Sequence, residues 1–244
     1  MIRALPIFLG LLALLPLTGF RATAADVPVR RPVVVELFTS QGCSSCPPAE
    51  AFLGELAERD NVVALEFHVD YWDYIGWKDS FAKPAFNERQ KKYVGNLKAR
   101  YAYTPQIVVD GKAHVVGSHR DEVESLMQQH QDTDPKAPAV ALARKGDMLI
   151  VAIGPAATTA TYDVVLVTFD KPHVTQVQRG ENRGQTLKNI NVVRELTVLG
   201  AWAGKAVSYD VSLAGKEGDG GCAILIQRRG QGPVLAAAKL AYAP

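Results

Sequence analysis

The apolar positions between residues 33 and 69 fall in two compact runs with a helical pattern between them. Val33 to Phe38 is β-branched and apolar, bounded by Pro32 and by Ser40-Gln41-Gly42, as a buried strand would be. From Ala49 to Arg59, Phe52, Leu53 and Leu56 share one helical face, and Pro47 and Pro48 suit a first turn that needs no backbone donor. Val62 to Val69 is the second run. Strand, helix, strand reads as a βαβ unit, which predicts a parallel pair with a right-handed crossover. Phe86, Tyr93, Leu97 and Tyr101 predict a helix from Pro84 to Arg100 with one buried stripe, despite Gly95. Ile107 to Val109, an Asp110-Gly111 turn and Ala113 to Val116 predict a hairpin. Asp121 to His130 predicts a short helix with Val123, Leu126 and Met127 inward.

The texture changes after Asp132 to Pro138, a polar, proline-bearing stretch that reads as a linker. Val140–Arg144, Met148–Ile153, Tyr162–Phe169, Val174–Gln178, Asn189–Val198, Ala206–Leu213, Cys222–Arg228 and Val234–Ala241 are short runs separated by turn residues. They predict an antiparallel sandwich. Two domains are therefore expected, one over 30–132 and an all-β sandwich-like one over 138–244.

Residues 1–24 read as a signal peptide: Arg3 near the start, an apolar stretch from Leu5 to Leu17, and Ala22-Thr23-Ala24 as a small-residue cleavage site. As a helix that stretch rises about 20 Å, short of a hydrocarbon core of about 30 Å. An exported protein is expected, periplasmic or secreted, with no stable membrane insertion after cleavage. This segment also changes the charge picture. The chain carries 27 Lys plus Arg against 25 Asp plus Glu, and Arg3 and Arg21 make up the excess. A neutral mature chain has no basic stripe for nucleic acid. With 48% hydrophobic and 21% charged residues, it has the apolar surface that folding needs.

Three cysteines, Cys43, Cys46 and Cys222, are too few for a disulfide scaffold and point to chemistry. Cys43-Ser44-Ser45-Cys46 follows a strand and opens a helix, where unpaired N–H groups and the helix dipole stabilise a thiolate. Cys43 is the candidate nucleophile and Cys46 the resolving thiol. This CxxC, with Thr104-Pro105 leading into a later strand, resembles the thioredoxin-like superfamily. The resemblance implies an α/β thioredoxin-like domain with a helical insertion, followed by the sandwich. It also implies thiol–disulfide exchange, with Pro105 cis and facing the CxxC, and Thr104 beside it where a substrate chain pairs. More narrowly, Val35-Glu-Leu-Phe-Thr-Ser-Gln-Gly-Cys43-Ser-Ser-Cys46-Pro-Pro, Phe67-His-Val-Asp-Tyr-Trp-Asp73, Tyr103-Thr-Pro-Gln106, Arg179-Gly-Glu-Asn182 and Asn191-Val-Val-Arg194 resemble DUF1223, an exported family of unknown function.

Around the motif, Glu36 lies inside an apolar strand seven residues before Cys43. The superfamily's buried carboxylate makes it a candidate proton carrier, provided one residue is inserted before the CxxC; a strand-end Glu reaching solvent is the plain alternative. His68, Asp70, Trp72, Asp73 and Trp77 follow the second strand and are expected to line a substrate groove, or to pack the insertion. The function expected is an exported thiol–disulfide oxidoreductase without a cofactor, acting on a protein thiol or disulfide together with a redox partner. The alternative is a non-enzymatic copper-handling or protein-binding module, two thiolates and the His68 imidazole suiting Cu(I). Zinc lacks two further ligands close in sequence. Cys222 begins an apolar run and reads as a small buried hydrophobe, an interdomain redox relay being the sharper possibility. The polar stretch 179–194 reads as a hydrogen-bond network, a recognition surface or a solvated hairpin face.

Overall fold

The structure, a computed structural model, describes residues 31–130 and 137–242. The signal peptide expected over 1–24 lies outside the described residues, as does most of the linker. Strands β1 (Val33–Thr39) and β2 (Val62–His68) pair in parallel and are joined by helix α1 (Pro47–Ala57). Strand β3 (Gln106–Val109) runs antiparallel to β1, and β4 (Ala113–Val116) completes a sheet of order β2-β1-β3-β4. Asp110 and Gly111 turn the β3–β4 hairpin at φ 50° and 62°, the positive values of a mirror-image turn, closed by the Lys112 N–H on the Val109 carbonyl at 2.9 Å. Helix α2 (Pro84–Asn96) stops before the expected Arg100, with Lys98 turned to φ 53°. Helix α3 (Arg120–His130) follows the hairpin.

Nine strands come after it. They are β5 (Val140–Lys145), β6 (Met148–Ile153), β7 (Tyr162–Phe169), β8 (His173–Gln176), β9 (Thr186–Asn189), β10 (Val193–Trp202), β11 (Val207–Ser212), β12 (Gly221–Arg228) and β13 (Val234–Ala241). They make sheets of order β10-β7-β12-β13 and β11-β6-β5, and a two-stranded ribbon, β8-β9. The single strand expected over Asn189–Val198 is broken, because Asn191 turns at φ 53° and docks on β2. Its side chain donates to the Ala64 carbonyl at 3.0 Å, and its own carbonyl accepts from the Glu66 N–H at 3.1 Å.

The alternation of side chains along each strand explains the layering. Val33, Val35 and Leu37 face α1 and α3, packing on Phe52, Leu53, Leu56, Val123 and Met127. Val34 and Phe38 face the opposite way, into one cluster with Phe67, Phe86 and Tyr93 and with Val165, Val167, Ala223 and Leu225 of β7 and β12. The other faces of those two strands, including Leu166, Cys222 and Ile224, pack on Leu149 and Val151 of β6. The order of layers is α1 with α3, first sheet, second sheet with α2 beside it, third sheet.

This overturns the expected fold class. Among the described residues strands number thirteen against three α-helices, distributed over several small sheets, so this part of the chain is mostly β and shows no clear α/β thioredoxin-like domain followed by a sandwich. An α/β layer covers both faces of its sheet with helices. Here strands of the later half cover most of one face, and the expected insertion is a 3₁₀ turn at Asp73–Ile75 and the single helix α2. Hydrophobic periodicity shows that both faces of β1 are buried; it carries no information about what buries them.

Candidate functional site

Beyond Thr39 the chain turns through Ser40-Gln41-Gly42, so Cys43 and Cys46 arrive at the N-terminus of α1. Cys46 caps the helix by its carbonyl, which accepts from the N–H of Ala49 at 2.9 Å and of Glu50 at 3.1 Å. Pro47 and Pro48 occupy the first turn, where their missing donors cost nothing. The two cysteines are joined as a disulfide with Cα atoms 5.4 Å apart. Both are buried, Cys43 at 1% and Cys46 at 0% exposure, although Ser44 and Ser45 between them are exposed.

The cover over Cys43 comes from the distant β8–β9 ribbon. Asn182, at the ribbon tip, donates to the carbonyls of Gln41 and Cys43, both at 2.9 Å. Glu181 accepts from the Ser44 hydroxyl at 2.7 Å and its N–H at 3.3 Å. The tip is tied to itself by Arg183 N–H to Gly180 carbonyl and Gly184 N–H to Val177 carbonyl. Gly180, at φ 77°, lies close over Trp77: a Cβ there would stand 3.3 Å from the Trp77 Cβ. A two-stranded ribbon is marginal on its own, so these contacts hold the cover closed. Two hydrogen bonds at about 1 kcal/mol each set the scale. Asn182→Ala is accordingly expected to speed reduction of the disulfide by dithiothreitol by up to about thirtyfold, measured by stopped-flow tryptophan fluorescence. An unchanged rate would mean that the reductant reaches the sulfurs without lifting the ribbon.

Beneath the N-terminal turn of α1 is a buried ionisable cluster. Thr39, Glu66 and His68 point to this side of the first sheet by strand alternation, and Glu50 meets them from the helix. His68 Nδ1 lies 2.7 Å from Asp79 Oδ2, and its Nε2 is 3.5 Å from Glu66 Oε1. Burial alone would lower the His68 pKa; the facing carboxylates, Asp79 foremost and Glu66 second, outweigh it and raise it to about 10. Asp79 is in turn held below the usual carboxylate range: burial opposes this, but His68 and the N–H groups of Gln41 and Phe81 prevail. Glu66 accepts from Asn189 Nδ2 at 2.9 Å and the Ile190 N–H at 2.8 Å. Glu50 accepts from the Thr39 hydroxyl at 2.7 Å. Burial, reinforced by the negative charge of Glu66, pushes the Glu50 carboxyl up to about 8. It is therefore mostly protonated at neutral pH, one helical turn after Cys46.

The expected site residues divide into two groups. Trp72, Trp77 and Thr104 assemble around the disulfide loop. Trp72 Nε1 donates to Thr104 Oγ1 at 2.8 Å, Trp77 Nε1 donates to Gln41 Oε1 at 3.0 Å, and a Cβ on Gly42 would stand 3.1 Å from the Trp72 Cβ. The Thr104–Pro105 peptide is cis, and Pro105 itself leads into β3. Glu36, Asp70 and His68 go elsewhere. Glu36 is on the opposite face of β1, ion-paired to Arg89 Nε at 2.5 Å and bonded to the Tyr93 hydroxyl. Asp70 is bonded to Asn87 of α2, and Asp73 accepts from the Asp79 N–H at 3.1 Å. His68 lies in the buried cluster instead of lining a groove. Cys222 is free and wholly buried on the face of β12 turned away from the first sheet, where burial raises its thiol pKa.

Glu50, Glu66 and Asp79 are not among the residues expected at the site, although Glu66, like Glu36, interrupts an apolar strand and is in phase with His68. Glu50 stands four residues after Cys46, on the same helix face. Nothing local marks Asp79, whereas Asn182 falls in the polar stretch read as a hydrogen-bond network and makes two such bonds to the disulfide loop. Among the described residues, no group of three or more His, Cys, Asp or Glu is arranged to hold a metal ion.

Fold and site together define a mostly-β protein with a helix-terminal CxxC disulfide covered by a ribbon from its second half. The model of DUF1223, described as a protein of unknown function, matches residues 34–227, and the chain belongs to that family. No curated protein matches it. An Agrobacterium tumefaciens protein solved by X-ray crystallography as a structural-genomics target is similar, with 32% identity and a TM-score of 0.73, over 85% of this chain and 93% of that one. HBP35 of Porphyromonas gingivalis shares the fold alone, with 12% identity and a TM-score of 0.55, over 86% of this chain and 75% of that one.

Proposed function

We propose that this protein is an exported thiol–disulfide oxidoreductase acting on protein thiols or disulfides. The observation that carries the reading is a CxxC pair joined at a helix N-terminus whose first turn carries the buried Glu50 carboxyl. The superfamily resemblance enters only through its motifs, the CxxC and the Thr104-Pro105 step. In the reduced state the helix N-terminus favours the Cys43 thiolate. It attacks a substrate disulfide, making a mixed disulfide and releasing one substrate thiolate. Cys46 then gives its proton to the Glu50 carboxylate and attacks the Cys43 sulfur. The second substrate thiolate leaves and the Cys43–Cys46 bond re-forms, two electrons having passed to the substrate. The reverse sequence oxidises a dithiol. Glu50 replaces Glu36 as proton carrier, because Glu36 is committed to Arg89 on the far side of the sheet. The copper-handling alternative is less well supported, since His68 lies buried with Nδ1 2.7 Å from Asp79 and Nε2 facing Glu66 at 3.5 Å.

The test is exchange with oxidised and reduced glutathione, followed by trapping of mixed disulfides. A pair that reaches redox equilibrium through a mixed disulfide supports the reading; one that stays oxidised and never forms the adduct is a structural bridge. Proton transfer to Glu50 requires its carboxylate, so the resolving rate should climb as pH rises through about 8. Glu50→Gln should remove that limb and slow the step on the order of a hundredfold. A wild-type pH profile in that variant would take Glu50 out of the mechanism.

A further inference from the structure

Building on the oxidoreductase reading, we infer that the cleft between the Asp73–Ile75 turn and the ribbon tip receives an acidic, extended segment of the protein substrate. The cleft has a volume of about 680 Å³ and is lined by Ile75, Gln178, Arg179, Gly180, Glu181 and Arg183. It adjoins the disulfide loop on two sides. A Cβ on Gly42 would stand 3.2 Å from Ile75 Cδ1, and Glu181 is bonded to Ser44. A chain seated there lies beside Cys43.

The charge of the lining sets the ligand class. Most described arginines form ion pairs; Arg100, Arg179, Arg183 and Arg228 form none among the described residues. Two of these four line this one cleft. The side chains of Arg179 and Arg183 are exposed and make no hydrogen bond among the described residues, while the lining's one acid, Glu181, is occupied by Ser44. Two guanidiniums against the one carboxylate of Glu181 leave the lining with a net positive charge, and both arginines keep forked donors that match carboxylates. The volume far exceeds that of a lone carboxylate. Beside it Tyr74, 81% exposed and stacked on Trp72, offers the apolar contact that a peptide segment covers and a small anion does not.

The test uses the intact protein, reduced and freed of reductant, and two short peptides. Each carries one cysteine as a mixed disulfide with thionitrobenzoate, flanked by glutamates in one and by lysines in the other. Cys43 attacks the peptide sulfur and thionitrobenzoate leaves; Cys46 then displaces the peptide thiol, so that protein and probe exchange two electrons. The glutamate probe should react about tenfold faster at low salt, with the advantage lost near about 0.5 M NaCl. Arg179→Gln with Arg183→Gln should equalise the probes, and the two changes to Glu should reverse their order. Equal rates in the unmodified protein, or an order unaffected by charge reversal, would overturn the docking site. Anisotropy of a labelled, cysteine-free glutamate peptide separates the two claims. Arginine-dependent binding without exchange leaves the cleft standing and removes the oxidoreductase reading; exchange without such binding removes the cleft.

Discussion

Arg89→Met is expected to destabilise the protein by about 3–5 kcal/mol, the cost of leaving a buried charge without its partner. Arg89 Nε lies 2.5 Å from Glu36 Oε2, with side-chain exposures of 8% and 0%. Its second nitrogen donates to the Tyr93 hydroxyl at 3.1 Å and to Gln227 Oε1 at 3.3 Å, and Gln227 Nε2 donates to the same hydroxyl at 2.9 Å. The guanidinium also stands over the Phe67 and Tyr93 rings, 5.4 and 5.2 Å from their centroids. One side chain thereby ties β1, β2, α2 and β12 together. Removing it strands the Glu36 carboxylate in the apolar cluster between the two sheets. Chemical denaturation should show a lower midpoint in a single transition, because the ties span both halves of the chain. Glu36→Gln combined with Arg89→Met removes both charges and should recover part of the loss. A loss below about 1 kcal/mol in the single variant would show that the site relaxes or hydrates freely.

The second large effect concerns turnover. If the proposed exchange operates, Cys46→Ser removes its resolving thiol, so Cys43 should accumulate as a stable mixed disulfide while multiple turnover falls on the order of a thousandfold or more. Cys43→Ser should abolish adduct formation altogether. Non-reducing electrophoresis and intact-mass measurement distinguish the outcomes. An adduct on Cys46 in the Cys43→Ser protein, as abundant as that on Cys43 in the other, would reverse the assignment of roles. The buried state of Cys43 sharpens the expectation: adding Asn182→Ala to Cys46→Ser should raise the trapping rate and leave the final yield unchanged.

Individual elements were legible from local pattern. Val33–Phe38, the proline-started helix, the Asp110-Gly111 turn and most later strands are specified by spacing and turn chemistry within a few residues. What was not legible depends on non-local partners. Glu36 interrupts an apolar strand whichever group neutralises it, and Arg89, 53 positions away, leaves no trace in that strand. The same holds for Asn182, which lies in an ordinary polar turn until its carbonyl partners 139 and 141 residues away are known. The fold class failed for a related reason. A buried face of β1 reads the same whether helices or strands lie over it, so a correct βαβ unit was extended into a class that the rest of the chain does not support. Cys43 and Cys46 were found because their pairing is local.

The core between the first and second sheets has a bearing on how the chain comes into being. Val34, Phe38 and Phe67 are synthesised early, but Val165, Ala223 and Leu225, which cover them, come roughly a hundred residues or more later. Until β12 emerges, the early segment has a bare apolar face and an ion pair with one side open to water. Contacts of such sequence separation make folding slow. The chain must therefore be kept from aggregating until its later strands are available, and the cysteines pass through that interval uncovered by the ribbon.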